Sequence, residues 1–403
     1  MPEFYSNFLT ISGCPIFPAQ SQAMSPLPQP SVQALQHSKQ LTRVIIEEIA
    51  AGGGWISFAR YMELALYAPG LGYYSAGAEK FGVAGDFVTA PDMSPLFARC
   101  LARQVSQALS ITSGDILELG AGSGKLACDL LRELDAQNKA PEHYFILELS
   151  GELQSRQQAL IGMLPQKLAQ SVSWIDKLPQ HFAGLVFANE VFDALPVHVV
   201  AWRSQGIYEC GVTYADGKFC WKERPLTKGD LFNIASSLQV PVDYVSEIHL
   251  AARGLIRSLA ALLDRGVILV LDYGFGTAEY YHPQRKSGTL MCHYRQQAHD
   301  DPFYLPGLQD ITSHVNFSAI VESAENLRLL GYTTQANFLV NCGITDILGE
   351  TTPDNAAYLP LASAAQKLLS PAEMGELFKA LALGKGISQP LIGFLSGDKS
   401  RLL

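Results

Sequence analysis

Apolar residues in the first half of this chain recur in blocks that predict alternating helices and strands. Near the N-terminus, Leu41, Ile45 and Ile49 follow the spacing of an amphipathic helix, and residues 58–67 and 94–109 predict two more helices. Four short apolar runs then alternate with helical patterns, at 116–119, 144–149, 172–175 and 185–188. Continuous apolar strands separated by helices are typical of a parallel sheet covered on both faces.

The pattern changes after residue 194. Strand-like runs flank Ala215-Asp216-Gly217, a turn sequence that predicts a β-hairpin. Farther along, the pattern predicts a helix at 245–263, a strand at 267–272, a helix at 317–330 and strands at 335–340 and 390–395. We therefore expect an α/β doubly wound domain over 111–398 with insertions at about 197–244 and 274–316, a helical extension at 36–110, and a weakly ordered leader at 1–35.

Composition narrows the class of protein. The 403 residues are 48% hydrophobic and 10% aromatic, which suits a buried globular core. The formal net charge of −9 argues against binding to nucleic acid or to an anionic membrane, because phosphate affinity comes from Lys and Arg. No apolar run approaches the roughly 18 residues that a membrane span needs.

The seven cysteines are odd in number and include no C-x-x-C pair. This predicts reduced thiols in a reducing compartment, so we expect a cytoplasmic protein. The histidines at 282, 293 and 299 lack metal-ligand spacing, and no metal site is predicted.

A glycine turn follows the first strand of the predicted sheet. Gly120, Gly122 and Gly124 lie at its end and precede a helix, so the backbone can turn sharply and approach a ligand. A P-loop is excluded, because Leu119 stands where its first glycine belongs and Leu126 follows Lys125. The G-x-G-x-x-G dinucleotide pattern fails too, since its last position is Lys125. The tighter G-x-G-x-G spacing favours S-adenosylmethionine.

Polar residues at the ends of the next two strands agree with a nucleoside ligand. Glu148 lies 28 residues after Gly120, where a carboxylate can accept hydrogen bonds from both ribose hydroxyls. Its alternative role is that of a surface carboxylate near a strand end. Trp174 and Asp176 could form an adenine wall and an acceptor for the adenine amino group, although Trp174 also suits a plain core position.

The fourth strand ends in Asn189, Glu190 and Asp193, beside apolar neighbours. Ligands of open α/β sheets bind beyond the carboxyl ends of the strands, where the strand order reverses. We expect this point between the first and fourth strands. The alternative is that Asn189 or Asp193 caps a following helix.

Ordered motifs along the chain make it resemble the MidA-like family of class I methyltransferases, from about residue 38 to 398. The matches are Gly85–Asp92, Leu117–Lys125, residues 147–150, residues 188–198, Asp272-Tyr273-Gly274, residues 288–295, residues 306–312 and Phe317. Two positions depart from the family pattern: Asp92 stands where the family usually has Glu, and Asn316 where it usually has Asp. The second change removes a charge near the expected substrate side.

The resemblance implies a seven-stranded class I domain that binds S-adenosylmethionine. Mitochondrial members of the family are complex I assembly factors that are taken to dimethylate an arginine of a complex I subunit symmetrically. The implied acceptor is therefore a protein, and the chain could act as a homodimer. The expected cofactor-binding residues are Gly120, Ala121, Gly122, Ser123, Gly124, Glu148, Leu149, Asp176, Asn189, Thr89 and Pro91.

Carboxylates are expected to hold an arginine acceptor, because a guanidinium stays protonated and binds them in a bidentate manner. Glu190 and Asp193 are the first candidates and Asp272 the second, and His293 or Tyr294 could close over the substrate. Two other functions stay open. A small-molecule or lipid O/N-methyltransferase would use a base such as His293, and a chaperone could bind S-adenosylmethionine without catalysis.

Overall fold

The N-terminal extension folds into helices close to where the apolar spacing predicts them. The computed structural model describes residues 27–76 and 89–403, so most of the predicted leader and motif residues 85–88 lie outside the described part. Helix α1 begins after Ser31, whose side chain accepts from the Ala34 N–H, and buries Leu41, Ile45 and Ile49. It starts four residues inside the stretch predicted as leader. The elements are α1 (Val32–Ala51), β1 (Ile56–Ser57), α2 (Phe58–Tyr67), α3 (Ala90–Met93) and α4 (Leu96–Thr112).

Four parallel strands follow in the order that the sequence predicts. The chain runs from β2 outward through β3 to β4 and then returns to β5 on the other side of β2. The reversal of strand order therefore lies between β2 and β5, as expected. The elements are β2 (Asp115–Leu119), α5 (Lys125–Ala136), β3 (Tyr144–Leu147), α6 (Gly151–Ile161), α7 (Gln166–Ser171), β4 (Val172–Ile175) and β5 (Phe182–Asn189).

The first insertion is a separate antiparallel sheet that contains the predicted hairpin. The sequence predicts a helix from residue 245, but the structure has a strand there, β9, and this part of the prediction is wrong. All five β9 residues are buried and pair with β6, so the strand shows no polar alternation from which its type could be inferred. The elements are β6 (His198–Arg203), β7 (Gly206–Ala215), β8 (Lys218–Pro225), α8 (Asp230–Ser237) and β9 (Tyr244–Ile248).

The chain then re-enters the large sheet and leaves it again for the second insertion. Helix α9 leads directly into the long strand β10, which contains the predicted strand 267–272. The second insertion forms a three-stranded sheet in the order β12-β11-β13. The elements are α9 (Leu250–Leu262), β10 (Leu263–Phe275), α10 (Thr277–Tyr280), β11 (Met291–Tyr294), β12 (Gln297–His299), β13 (Asp310–Thr312) and β14 (Val315–Asn316).

Three C-terminal predictions are wrong. The helix expected at 317–330 ends at Ser323, and the strand expected at 335–340 is a helix because the Thr334 hydroxyl caps it by accepting from the Asn337 N–H. The last strand is predicted at 390–395, but that stretch contains a 3₁₀ turn (Ile392–Phe394). The last strand of the sheet is β16, which lies earlier in the chain. The elements are α11 (Phe317–Ser323), β15 (Arg328–Thr334), α12 (Gln335–Asn341), α13 (Ile344–Gly349), α14 (Tyr358–Leu369) and β16 (Phe378–Lys385).

Within the described residues, the large sheet holds eight strands. Seven run in the order β15-β16-β10-β5-β2-β3-β4, and the two-residue strand β14 pairs with β10. Strand β16 is antiparallel to both of its neighbours. Alternate side chains enter the two cores on opposite faces, as Ile116 and Leu117 do. The predicted α/β class is confirmed, and the carboxyl ends of the parallel strands share one edge.

Candidate active site

A cleft of about 1280 Å³ lies at the carboxyl ends of β2, β3 and β5. Its walls also come from α2, from both insertions and from the residues just before β16. The fold thus brings together side chains from almost the whole length of the described chain. The predicted residues that line it are Thr89, Pro91, Gly120, Ala121, Gly122, Ser123, Glu148, Leu149, Asn189, Glu190, Asp193 and His293.

The glycine turn has the conformation that its sequence predicts. Gly120, Gly122 and Gly124 have φ values of +61°, +53° and +80°, in the left-handed region that glycine adopts without strain. Gly124 does not line the cleft. It is the N-cap of α5, and a Cβ atom there would lie 3.1 Å from Cγ of Gln157. Its role is therefore to let α5 pack closely against α6, while the first four residues of the turn face the ligand space.

Glu148 lies beside this turn and is oriented by its neighbours. Its Oε1 accepts from the backbone N–H of Ser150 at 2.9 Å, and its Oε2 accepts from the Gln157 amide at 2.9 Å. The same Gln157 nitrogen donates to the carbonyl of Gly122 at 3.0 Å. Sequence reasoning missed Gln157, because a glutamine inside a helix gives no signal that it is buried against the glycine turn and Glu148.

The structure does not bring Asp176 into the cleft. Asp176 is exposed and lines a neighbouring groove, which shares only Glu148 with the main cleft. Trp174 donates from its indole nitrogen to Oε1 of Gln157 at 2.9 Å, so it supports the glutamine that orients Glu148. Trp174 and Asp176 line this neighbouring groove together, beside Glu148, and the adenine wall stays a prediction.

The short helix α3 is connected to the glycine turn. The Thr89 hydroxyl donates to Oδ2 of Asp92 at 2.8 Å, and the Ser123 hydroxyl donates to Oδ1 of the same carboxylate at 3.3 Å. Asp92 therefore retains the polar capacity of the Glu usual in the family. Leu149 extends from the rim with 77% of its surface exposed.

Glu190 lies at the end of β5 in a left-handed conformation, with φ of +54°. A non-glycine residue there carries about 1–3 kcal/mol of backbone strain, which the surrounding structure must stabilise. The fully buried Asp272 does so: its Oδ2 accepts from the N–H groups of Val191, Phe192 and Asp193 at 3.2, 2.9 and 3.3 Å. Asp272 thus positions the loop and is not a cleft residue. No helix follows β5 before β6, so the predicted helix-cap alternative is wrong.

The electrostatics of this loop favour a cationic ligand. Burial, together with the charge of Asp193, raises the pKa of Glu190 to about 8, although the Asn189 amide and the Ala90 N–H oppose the shift. Burial also raises the pKa of Asp193 to about 6, although a hydrogen bond from Tyr273 opposes this shift. Oδ1 of Asp193 is buried without a hydrogen-bond partner. Such an atom is costly unless a ligand supplies a donor.

The second insertion forms the opposite wall. His293 lines the cleft together with Thr289, Thr312 and His314. Tyr294 does not line it but is buried against Tyr304, with ring centroids 5.6 Å apart. Sequence reasoning missed His314, whose pKa burial lowers to about 4.

The family pattern predicts Asn316 near the substrate side, but the structure places it away from the cleft. Its side chain caps α11 by accepting from the Ala319 N–H at 3.2 Å and also accepts from the Thr277 hydroxyl at 3.1 Å. It does not line the cleft. The missing charge at this position therefore leaves the lining of the cleft unchanged.

The order of the strands, the glycine turn and the carboxylate on the next strand are the features of a class I methyltransferase. A family model for S-adenosyl-L-methionine-dependent methyltransferases matches residues 97–333. The chain belongs to this MidA-like methyltransferase family.

Solved and curated relatives support the assignment. A Burkholderia thailandensis protein, whose crystal structure contains bound S-adenosyl-homocysteine, is 50% identical in sequence to this chain. The two structures superpose over 94% of this chain and 100% of the Burkholderia chain, with a TM-score of 0.91. The mitochondrial protein arginine methyltransferase NDUFAF7 of Danio rerio is 28% identical over 85% of this chain and 87% of its own length. Its Drosophila melanogaster homologue is 27% identical over 91% of both chains. The chain is thus an enzyme that uses S-adenosylmethionine.

The cleft of this methyltransferase fits that cofactor. The turn from Gly120 to Ser123 offers backbone that a ligand can approach closely, and Glu148 offers a carboxylate for the ribose hydroxyls. Bound S-adenosylmethionine supplies an electrophilic methyl group on a sulfonium. The protein must then hold the acceptor in line and exclude water.

Other kinds of site are not found in the described part of the methyltransferase. Over residues 27–76 and 89–403, no three His, Cys, Asp or Glu side chains are grouped so that they could hold a metal ion. No helix in those ranges is long and apolar enough to cross a membrane. The six cysteines there are free thiols.

Proposed function

We propose that this methyltransferase methylates an arginine side chain of a protein. The observation that carries the proposal is the pair of carboxylates at the end of β5. Glu190 and Asp193 both line the cleft, and Oδ1 of Asp193 is buried without a partner. A guanidinium has five N–H donors in a plane and can satisfy both carboxylates at once.

The charge of the cleft supports a cationic acceptor. Among the lining residues in the described part of the chain, Arg60 is the one lysine or arginine. It is already paired with Glu48 at 2.8 Å and with Glu63 at 2.9 Å. The acidic lining residues are Glu63, Asp92, Glu118, Glu148, Glu190, Asp193 and Asp310. Glu118 and Glu190, with pKa values raised to about 8, are mostly protonated at neutral pH until a cation binds, so the other carboxylates attract a guanidinium and repel an anionic lipid headgroup.

The size of the cleft is compatible with an acceptor beside the cofactor. Its volume of about 1280 Å³ exceeds the roughly 300–1,000 Å³ of ordinary small-molecule pockets, and S-adenosylmethionine occupies part of it in this proposal. The walls beyond the cofactor-binding segments come from α2 and from the two insertions. This leaves room for an arginine side chain and adjoining peptide.

In this proposal Glu190 and Asp193 bind and orient the guanidinium. As the Nη–C bond forms and the C–S bond breaks, one guanidinium proton has to leave. The bound guanidinium stabilises the ionised form of Glu190, which can then accept the proton, because burial and Asp193 give this carboxylate a raised pKa of about 8 in the absence of a ligand. Asp193 is held in place by the loop that Asp272 stabilises.

The names of the curated relatives support a protein substrate, since NDUFAF7 proteins are called protein arginine methyltransferases. The family resemblance further suggests a complex I subunit as the acceptor and a role in respiratory complex assembly. The cytoplasm is the compartment that we propose from the cysteine pattern.

Labelled methyl transfer into a cell lysate tests the function. The full chain is incubated with methyl-labelled S-adenosylmethionine, and labelled proteins are hydrolysed to identify methylarginine. We expect a labelled protein band with the native enzyme, almost none with Glu190→Gln, and an undiminished band with Glu325→Gln, an exposed carboxylate outside the cleft.

Other outcomes separate the alternatives. Label that appears only in a lipid or small-molecule fraction would contradict the protein substrate and favour a small-molecule or lipid methyltransferase. Calorimetric binding of S-adenosylmethionine with no transfer at all would favour a chaperone without catalysis. Label on protein residues other than arginine would contradict the arginine acceptor alone.

A further inference from the structure

We propose that Tyr67 and Tyr74 of the N-terminal extension, together with Asp310 of the second insertion, form an acceptor-lined subsite that recognises the substrate guanidinium. The proposal rests on the proposed function, because it assumes that the methyl acceptor is an arginine. The subsite adds residues that lie outside the large sheet, and the sequence analysis does not predict any of the three as ligand-binding.

The two tyrosines belong to one face of the extension. Arg60, Glu63 and Tyr67 are spaced three and four residues apart along α2 and all line the cleft. Tyr74 follows in the turn after α2 and also lines the cleft. Its ring stacks on that of Tyr67, with centroids 5.5 Å apart and planes 22° apart. The extension thus presents two phenol groups to the substrate space.

Each hydroxyl already donates its proton to the protein. Tyr67 donates to the carbonyl oxygen of Ala194 at 3.0 Å, and Tyr74 donates to Oδ1 of Asp310 at 3.0 Å. A phenol oxygen that has used its proton in this way can only accept further hydrogen bonds. Both rings are fixed by these contacts, so the acceptors are preorganised.

The hydroxyl groups also keep their protons at neutral pH. Burial raises the pKa of Tyr67, and the nearby charges of Asp310 and Asp193 raise it further. Burial and Asp310 likewise raise the pKa of Tyr74 well above its ordinary value. The two phenols are therefore neutral and keep donating to Ala194 and Asp310.

This lining complements a guanidinium more closely than an ammonium. The acceptors around the subsite are the two phenol oxygens, the buried carboxylate of Asp310 and the unpartnered Oδ1 of Asp193. Asp193 precedes Ala194, whose carbonyl anchors Tyr67, so the carboxylate and the phenol are held by adjacent residues. A guanidinium is a donor-only, planar group with five N–H bonds, whereas a lysine ammonium has three donors at one point.

The test is calorimetric binding of Nα-acetyl-arginine-N-methylamide to the full chain saturated with S-adenosyl-homocysteine. The native protein should bind this probe more tightly than its lysine counterpart and should bind the uncharged citrulline counterpart poorly. Tyr67→Phe and Tyr74→Phe should each weaken arginine binding about 3- to 10-fold, since each removes one acceptor. Asp310→Asn should weaken it at least as much.

The readouts separate recognition from a structural effect. S-adenosyl-homocysteine affinity should stay close to native, the thermal midpoint should fall only by the loss of one buried hydrogen bond, and Tyr214→Phe, a tyrosine on β7 outside the cleft, should change neither arginine nor cofactor binding. Native-like arginine binding by both Phe variants would overturn the subsite while leaving the proposed function intact. An equal loss of cofactor affinity would overturn it as well. Failure of the native protein to bind the arginine probe would contradict the proposed function itself.

Discussion

The side-chain amide of Gln157 lies 2.9 Å from Oε2 of Glu148 and donates to it, while Glu148 faces the cofactor end of the cleft. The same amide nitrogen donates to Gly122, and its oxygen accepts from Trp174. One buried side chain therefore connects the glycine turn, the end of β3 and the end of β4. The position of Glu148, the carboxylate expected to bind the ribose, therefore depends on a residue that does not line the cleft.

We predict that Gln157→Ala weakens S-adenosyl-homocysteine binding roughly tenfold, because Glu148 loses the donor that orients it. The variant should also be less stable by about 1–3 kcal/mol, since the Gly122 carbonyl and the Trp174 N–H lose their buried partner. Calorimetry and urea unfolding measure the two effects. Gln158→Ala, an exposed neighbour on α6, is the matched control. Unchanged cofactor affinity in Gln157→Ala would show that Glu148 needs no such support.

Arginine binding should strengthen with pH. The pKa of Asp193 is raised to about 6 and that of Glu190 to about 8, so near pH 6 Asp193 is partly and Glu190 almost fully protonated, and both become charged as the pH rises. We expect affinity for an arginine peptide to rise roughly tenfold or more between pH 6 and 8.5, with proton release on binding near pH 7. Glu190→Gln should remove the upper part of the rise. A flat profile for the native protein would be incompatible with these carboxylates as the arginine ligands.

Glu118 should make the folded protein less stable at alkaline pH. Burial raises its pKa to about 8, although the Tyr144 hydroxyl donates to it at 2.8 Å. A carboxyl with a folded-state pKa above its unfolded value contributes stability below about pH 4.5, and this contribution is lost as the pH rises through 8.

We therefore expect Glu118→Gln to gain stability relative to the native protein by about 1–3 kcal/mol between pH 5.5 and 8.5, because glutamine does not titrate. Urea unfolding at the two pH values checks this. Glu325→Gln, an exposed carboxylate, should show no such gain. A difference between Glu118→Gln and native protein that does not change with pH would contradict the assignment.

Gly288→Ala should disrupt the wall of the cleft. A Cβ atom at Gly288 would lie 2.2 Å from Oε1 of Glu247, a fully buried carboxylate that accepts from the N–H groups of Thr289 and Leu290. We expect a loss of about 2–4 kcal/mol of stability, since the clash adds to the strain of φ +74°.

Gly53→Ala is the matched control for this change. Gly53 has φ of +70°, but nothing lies within 4 Å of a Cβ atom placed there. Its substitution should cost only about 1 kcal/mol, from strain alone. Unfolding free energies measure both variants, and equal losses would mean that Glu247 moves aside without penalty.

The parallel half of the sheet and its glycine turn follow from the pattern of residues along the chain. The run 185–188 is apolar throughout and 116–119 has one polar residue, Glu118, because both faces of the sheet are covered, and such strands stand out between helices. Gly120, Gly122 and Gly124 stand out for a similar reason, since a turn with positive φ at three positions requires glycine. Local rules of this kind can be applied without knowing what packs where.

The set of residues that meet in the cleft depends on packing between distant parts of the chain. β9 and β16 were missed because they are buried by distant strands, and burial by a distant partner leaves no periodic signal. Asp272 and Glu190 are 82 residues apart, yet one stabilises the loop that begins at the other. Tyr67 and Asp310 are 243 residues apart in the chain, yet both line the cleft. Long-range packing fixes these contacts, so the pattern of residues along the chain does not encode them locally.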